Sequence, residues 1–298
     1  MQALKRFFNR KSVVPYVFLA PFLFLFIAFK VWPFFSAVSL SFQSLRGIGS
    51  GTWVGIDNYR MLLEDPLFIR SLSITTKYTV GTLLLLIPIP VILAVVIYNK
   101  SVKGASLFHV IFFLPVLTSL VAAGTIFRIM MMEDGLINAF LRFFGLSAQR
   151  WLGTAELVVP SLIIIAVWRW TGMNIVYFMS GLTSIPVELY EAAKIDGANA
   201  LKRFFHVTVP LLKPVIAFVT IISLIGGYQV FVEPYILFPS GMTPGGGGLT
   251  IAYYLYRTAF GYFNMGYASA IGVVLTLIIL VLSLIQFRSF GVMREDKE

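Results

Sequence analysis

The sequence of 298 residues contains no cysteine and only two histidines, and just 12% of its residues are charged. Without cysteine, the chain can form no disulfide framework and offers no thiol chemistry. An average soluble domain has about 25% charged residues, whereas 58% of the residues here are hydrophobic. This composition excludes an ordinary soluble domain and predicts a protein that lies in a lipid bilayer.

The sequence also lacks the motifs of common active sites. His109 and His206 lie far apart and have no third ligand beside them, so no metal site is predicted. There is no His-Glu-x-x-His or Gly-x-Ser-x-Gly motif, and no pair of carboxylates within an apolar run. The glycine run at Gly241–Gly248 is not followed by the lysine and hydroxyl residue of a phosphate-binding loop. We therefore expect no catalytic residue, no metal and no cofactor in this chain.

Long intervals without charged residues predict where the chain crosses the bilayer. A spanning helix needs roughly 20 predominantly apolar residues, and six stretches of the sequence meet this requirement. The sequence therefore predicts an all-α membrane protein with six transmembrane helices. The predicted spans are residues 13–33, 74–98, 106–130, 157–179, 214–237 and 267–287.

These spans divide the chain into a transmembrane domain, residues 13–287, and two short flanking segments. The beginning is basic and then apolar, as in a signal peptide. The apolar run continues to Phe35 without a clear cleavage site, so we predict an uncleaved first span. Residues 1–12 would either lie in the membrane interface as an amphipathic segment or form a free basic tail. Residues 288–298 would form a tail at the other end.

The distribution of lysine and arginine predicts the orientation, because cytoplasmic loops are enriched in both. If the first residues are cytoplasmic, more than half of these residues fall in the inward-facing segments, including Lys100 and Lys103 in a short loop. Both termini and the loop at 181–213 would then face the cytoplasm. The net charge of +10 is explained by this orientation, and we expect no nucleic-acid partner.

The longest polar interval in the second half of the sequence lies between the fourth and fifth spans. Pro186 suits the first turn of a helix, Glu188 suits its positive end, and Gly197 suits a left-handed helix end. These signals predict a short helix over Pro186–Asp196, followed by a second helical stretch over 200–207. From its spacing alone, this segment could be a solvated connector or a smooth surface on which another protein docks.

A resemblance to a known family decides between these interpretations. Glu191-Ala192-Ala193, then Asp196-Gly197-Ala198 and Val209-Pro210, resemble the cytoplasmic EAA loop of permease subunits of binding-protein-dependent ABC importers. Val207 and Val209 are conservative departures from that pattern. In the family this loop is a coupling helix that docks in a cleft of the ATP-hydrolysing subunit. The resemblance implies that five residues couple this chain to an ATPase: Glu191, Ala192, Ala193, Asp196 and Gly197.

Two further stretches resemble the carbohydrate-uptake permeases of the maltose and glycerol-3-phosphate type. They are Val54–Phe68, which is similar to a first outer loop, and Gly261–Ala270 before the sixth span. The resemblance implies a type I ABC importer permease fold in a bacterial or archaeal inner membrane, and half of a pathway for a sugar or oligosaccharide. The implied partners are a second, different permease subunit, an extracytoplasmic solute-binding protein, and two ATP-binding subunits that hold ATP and Mg.

Polar residues within the fourth and fifth spans are the candidates for contact with the substrate. An ionisable side chain in a span is costly and marks a functional position, and a sugar needs aromatic faces beside hydrogen-bonding groups. The same side chains could instead pair with each other or with lipid phosphate, or hold helices together. The candidates are Arg169, Trp170, Asn174, Ser223, Gly227, Tyr228, Gln229 and Glu233.

Three alternatives remain from the sequence. The first is an ABC importer permease for a solute other than a sugar. The second is an ion-coupled secondary transporter, which would have paired intramembrane carboxylates and an inverted repeat; neither is evident. The third is a membrane scaffold that transports nothing.

Overall fold

The computed structural model describes residues 14–98, 104–238 and 243–291. These described residues are mostly helical, as predicted. The segment 1–12 and the short basic loop with Lys100 and Lys103 lie outside the described residues, as does most of the tail. Contacts divide the chain into two compact units. They are Met1–Asp65 with Thr258–Val274, and Pro66–Arg257 with Leu275–Glu298.

The first unit combines a long apolar helix with a small β-ribbon. The two strands are antiparallel, with Gln43 opposite Trp53. The buried side chain of Asn58 donates two hydrogen bonds of 2.9 Å, to the carbonyls of Ser41 and Gln43. The stretch Val54–Phe68, which resembles a first outer loop, is therefore joined to the residues around β1 by the buried Asn58. The elements are α1 (Val14–Leu40, with a π-helical turn at Ile27–Val31), β1 (Gln43–Ser44), β2 (Thr52–Trp53) and α2 (Asp57–Glu64).

The second unit consists of helices that are mostly short or interrupted. Helix α15 (Met265–Phe290) follows a π-helical turn at Arg257–Gly261 and contributes residues to both units. A π-helical turn also lies at Phe204–Thr208 and a 3-10 turn at Pro244–Gly246. The α-helices of this unit are α3 (Pro66–Leu86), α4 (Pro88–Tyr98), α5 (Ala105–Leu117), α6 (Leu120–Met130), α7 (Leu136–Phe143), α8 (Ala155–Thr183), α9 (Val187–Ile195), α10 (Ala200–Arg203), α11 (Val209–Leu211), α12 (Lys213–Tyr228), α13 (Val232–Leu237) and α14 (Ile251–Tyr256).

Within the described residues, five helical segments are long and apolar enough to cross a membrane: α1, α3 with α4, α8, α12 with α13, and α15. A sixth span exists if α5 and α6 are counted together, although their axes differ by 106°. The span predicted over 106–130 therefore consists of two helices with a sharp break between them. Thr118 has an extended backbone at the break, with φ −72° and ψ 143°. Pro115 lies one turn earlier and cannot donate a helical hydrogen bond.

Helix α8 is the packing centre of the second unit. Its buried residues fall into two apolar clusters, one around Leu162 and Ile165 and one around Phe178 and Leu182. Gly172 lies between them at a close approach of two backbones, because an added Cβ would collide with the carbonyl oxygen of Phe112 in α5. Small residues allow such close helix packing within a membrane. This position therefore sets how closely α5 can approach α8.

Helix α7 is followed within two residues by Gly145, whose φ of +75° turns the chain out of the helix. A buried asparagine on this helix organises the loop around it. The amide nitrogen of Asn138 donates to the carbonyls of Met132, Glu133 and Gln149, at 2.8 to 3.2 Å. Its amide oxygen accepts from the Gln149 backbone at 2.9 Å and from the Trp151 indole at 3.1 Å.

Replacing this asparagine should loosen the loop, since Asn138→Ala leaves several buried polar groups without partners. We expect the variant to be less stable by about 1–3 kcal/mol, the cost of unsatisfied buried groups. Thermal unfolding of the purified protein in detergent, followed by tryptophan fluorescence, measures the effect. Ser147→Ala, on the exposed part of the same loop, is the control. Equal melting temperatures for both variants would contradict this role of Asn138.

Candidate functional site

A cavity of about 340 Å³ lies within the second unit, between α3, α8 and the α12–α13 segment. Its lining combines aromatic rings, apolar groups and a few hydrogen-bonding side chains, which is typical of a small-molecule site. Tyr78, Trp170 and Tyr177 supply the larger aromatic surfaces. The lining includes six of the eight predicted substrate-path residues: Trp170, Asn174, Ser223, Gly227, Gln229 and Glu233.

One of the six, Asn174, also has a structural contact. Its amide nitrogen donates a 2.9 Å hydrogen bond to the carbonyl of Leu86, at the junction of α3 and α4. This carbonyl would normally accept from the backbone of residue 90, but Pro90 has no N–H to donate. Asn174 therefore satisfies a group that the proline leaves free, as neighbouring helices do in membranes.

Arg169 has a similar position at the second interruption. One of its terminal nitrogens donates a 2.9 Å hydrogen bond to the carbonyl of Thr118, at the break between α5 and α6. The guanidinium also lies 5.5 Å from the ring centre of Trp170, and its Nε is buried without a partner. Arg169 is not among the lining residues. The structure thus places this predicted substrate contact beside the cavity, on the backbone of the broken helix.

This geometry predicts the effect of removing the Arg169 charge. Arg169→Met should lower stability by about 1.5–3 kcal/mol, the contribution of a hydrogen bond to a charged group, and leave the KM for the transported solute unchanged. Ser223→Ala, in the cavity lining, should instead raise KM with little effect on stability. Thermal unfolding and uptake kinetics of both variants test this pair. A raised KM for Arg169→Met at unchanged stability would show a direct contact with the solute.

Tyr228 is the other predicted residue outside the lining. Its hydroxyl shares a 3.1 Å hydrogen bond with the hydroxyl of Thr76, and its ring is buried. The preceding Gly227 lies against Thr79 so closely that an added Cβ would collide with that side chain. Helices α3 and α12 therefore pack tightly beside the cavity.

The cavity wall continues across a break between α12 and α13. There the carbonyl of Val230 accepts a 2.8 Å hydrogen bond from the hydroxyl of Thr250, and the hydroxyl of Thr75 accepts from the backbone of Ile251 at 2.8 Å. Glu233 follows the break and is 7% exposed in the lining. These bonds fix the backbone that presents its carboxyl group.

Several lining residues were not predicted. Tyr78, Thr82 and Leu86 come from α3, and Phe231 comes from the break before α13. A possible signal was the row of hydroxyl residues at Thr75, Thr79 and Thr82 within an apolar helix, since buried polar groups in spans face other protein groups. Among residues 14–98, 104–238 and 243–291, no three His, Asp or Glu side chains cluster as a metal ion would require.

The segment predicted to couple to an ATPase forms a second candidate site. The predicted short helix and its end at Gly197 are confirmed: α9 ends in a glycine with φ +73°. The backbone N–H of Ala198 donates to the carbonyl of Ala193 at 2.9 Å. The backbone N–H of Gly197 donates to the carbonyl of Lys194 at 3.1 Å. This pair of bonds is the Schellman arrangement of helix ends. The turn after Asp196 is thus well defined.

The second predicted helical stretch, 200–207, is confirmed as helical. It is α-helical only over α10 and continues as a π-helical turn through Thr208. Pro210 supplies no N–H to the preceding turn, which accounts for the wider winding there. The hydroxyl of Tyr190 in α9 shares a 3.0 Å hydrogen bond with that of Thr208, so α9 is tied to this turn.

Helix α9 has no buried residue, and all of its residues except Tyr190 and Ala193 are exposed. Glu191 and Ala192 are exposed, and Ile195 is 87% exposed. Leu201 in α10 is also exposed. The Glu191 carboxylate thus lies near the small side chain of Ala192 and exposed apolar side chains, which the rest of this chain does not cover.

Comparison with known proteins identifies the class to which this fold and these sites belong. The family model of the binding-protein-dependent transport system inner membrane component matches residues 77–290. The chain belongs to this family. It is a transport component, with a multi-pass arrangement in the inner membrane and the fold of a type I ABC importer permease.

Individual relatives are similar over nearly the whole chain. The arabinooligosaccharides transport system permease protein AraP of Bacillus subtilis (strain 168) is 43% identical over 286 residues, covering 95% of this chain and 90% of the relative. The lactose transport system permease protein LacF of Rhizobium radiobacter is 35% identical, covering 96% and 95%. A bacterial alginate ABC transporter, solved in complex with an alginate pentasaccharide-bound periplasmic protein, matches with TM-score 0.82 and 24% identity. That match covers 96% of this chain and 95% of the other.

Proposed function

We propose that this chain is a permease subunit of an ATP-driven importer and forms half of the pathway for an oligosaccharide. Its similarity to AraP and LacF along the whole chain supports this assignment. The lining of the cavity supports it independently. The aromatic rings of Trp170 and Tyr177 can stack on sugar rings, while Asn174, Ser223 and Gln229 offer hydrogen bonds to hydroxyl groups.

The proposed assembly has this chain beside a second permease subunit, with two ATP-binding subunits in the cytoplasm. Both termini of the chain and the segment at α9 face these ATP-binding subunits. A solute-binding protein delivers the sugar from the other side. The exposed apolar and acidic surface of α9 fits a docking role, because such a surface is left uncovered within the chain. ATP and Mg bind to the partner subunits.

In this assembly, closure of the ATP-binding subunits moves α9, and the spans follow as rigid bodies. The Schellman end at Gly197 and the Tyr190–Thr208 hydrogen bond stiffen the segment. A rigid segment is needed because a flexible one would absorb the movement. The cavity is thereby exposed alternately to each side of the membrane.

Hydrogen bonds join the helix that carries much of the cavity wall to the breaks in neighbouring helices. Asn174 ties the cavity wall to the α3–α4 junction, and Arg169 ties it to the α5–α6 break. Satisfied backbone groups let interrupted helices shift as units without exposing polar atoms to lipid.

Transport by the reconstituted complex tests the function. The four-subunit complex and its binding protein, in liposomes loaded with ATP, should accumulate arabinose oligosaccharides. An amino acid mixture is the control and should not be taken up. Uptake of an amino acid and of no saccharide would overturn the sugar assignment. Uptake driven by an ion gradient without ATP would instead support the secondary transporter, which the family match does not favour.

A further inference from the structure

A group of aromatic rings lies at the start of α13, within α13 and on α14. Phe231 stacks on Tyr235 with ring centres 5.4 Å apart and an angle of 30°. The ring centre of Tyr256 lies 4.9 Å from that of Phe231 and 5.5 Å from that of Tyr235. Tyr253 completes the group, 6.0 Å from Tyr235. We call these four residues the aromatic cluster.

The cluster is firmly positioned on one side and accessible on the other. Tyr253 is 1% exposed and its hydroxyl donates to the carbonyl of Phe238 at 3.1 Å. The hydroxyls of Tyr235 and Tyr256 are hydrogen-bonded to each other, which raises the pKa of Tyr256. Tyr235, in contrast, is 40% exposed. The buried ring of Tyr253 thus packs against the exposed ring of Tyr235, whose hydroxyl pairs with that of Tyr256.

The cluster is continuous with the cavity. Phe231 belongs to both, since its ring contacts Tyr235 and its side chain lines the cavity. Along the fifth span, Tyr235 lies beyond the last lining residue, Glu233, and away from Lys213, where the span leaves the α9–α11 segment. A solute that enters from the side opposite to that segment would therefore meet these rings next to the cavity.

A belt of aromatic residues at the membrane interface is the ordinary explanation for tyrosines at the end of a span. Here the rings pack on one another at 4.9 to 6.2 Å, next to a cavity with hydrogen-bonding groups. Tyrosine also provides wide contact area together with a polar group, and both suit a sugar ring.

We propose that Phe231, Tyr235 and Tyr256 form a second saccharide subsite, so that the pathway holds two or more sugar rings at once. The inference rests on the proposed function and specifies its substrate class as an oligosaccharide of at least two rings. One ring lies in the cavity near Trp170. The next stacks on Tyr235 and shares hydrogen bonds with the hydroxyl pair.

Uptake as a function of saccharide length tests the subsite. The complete complex, with wild-type chain or with Tyr235→Ala, is supplied with arabinose and its oligosaccharides of increasing length. For the longer members, Tyr235→Ala should raise KM about tenfold, which corresponds to ~1.4 kcal/mol. For the shortest saccharide that the wild type transports, KM should change by less than about twofold. Tyr235→Phe, which keeps the ring, should lose less than Tyr235→Ala at every length.

Two further variants distinguish the loss of a sugar contact from a general loss of packing. Tyr235→Leu retains an apolar side chain without an aromatic face, and it should show the same length-dependent loss. Phe140→Ala removes an exposed ring on α7 and should transport all lengths as the wild type does. Co-purification of the partner subunits confirms that each variant assembles.

The outcomes separate this inference from the proposed function. If Tyr235→Ala and Tyr235→Leu raised KM equally for saccharides of all lengths, the subsite would be overturned while sugar transport stands. Uptake by these variants without ATP would overturn it as well. Failure of the wild-type complex to transport any saccharide would overturn the proposed function, and the subsite with it.

Discussion

Glu191→Lys should strongly reduce ATP-driven uptake while the chain still inserts in the membrane. The carboxylate lies on an exposed helix whose surroundings include Lys194 and the basic end of α10. In the proposed docking, reversal of its charge replaces an attraction to a basic group of the ATP-binding subunit with a repulsion. Disruption of one charge pair in a buried interface costs ~2–5 kcal/mol, so we expect uptake to fall by more than about tenfold. Either the ATPase no longer responds to solute or the partner fails to co-purify.

Glu188→Lys is the matched control for this experiment. It makes the same charge change one turn earlier on the same exposed helix. The helix dipole favours an acidic residue there by about 0.3–1 kcal/mol, so uptake should fall by less than about fivefold. Near-normal uptake by Glu191→Lys, or equal losses for the two variants, would contradict a specific role for Glu191.

Gly172→Val should have the largest effect on folding. The added side chain collides with the backbone carbonyl of Phe112, and a backbone cannot move aside as a flexible side chain can. Overpacking of a well-packed core costs 1–3 kcal/mol and sometimes more, so we expect a loss of ~3 kcal/mol or more. The yield of assembled complex and its thermal unfolding report this loss.

Gly226→Ala provides the control for a glycine in a helix. Nothing lies within 4 Å of a Cβ at Gly226, and alanine favours the helix by roughly 1 kcal/mol over glycine. Its stability should therefore equal or exceed that of the wild type. A stable, assembled Gly172→Val complex would show that α5 and α8 approach less closely than the structure indicates.

Local signals in the sequence predicted much of the fold correctly. Apolar runs identified the spans because lipid imposes a length and a composition on each of them. Gly197 was recognised as a helix end because its left-handed backbone is a local property. The break at Thr118 was not predicted. Prolines in spans often bend a helix only slightly, and the presence of Pro115 does not indicate how far the helix direction changes.

Contacts between distant residues limited the prediction of the site. The cavity brings together six predicted residues from α8 and the fifth span, since polar side chains in spans face protein rather than lipid. The contact from Arg169 to Thr118, and that from Asn174 to Leu86, depend on which helices are neighbours. Periodicity within one helix carries no such information. The lining residues Tyr78 and Phe231 were missed for the same reason.

The absence of cysteine makes the coupling surface directly accessible to measurement. Ala192→Cys introduces a single thiol on α9, which a short thiol-to-amine reagent can cross-link in the assembled complex. We predict a cross-linked product with the ATP-binding subunit, and none from Ile48→Cys, a fully exposed position in the β-ribbon unit. Failure of Ala192→Cys to cross-link to that subunit, or its labelling by a membrane-impermeant reagent added outside intact cells, would contradict the account.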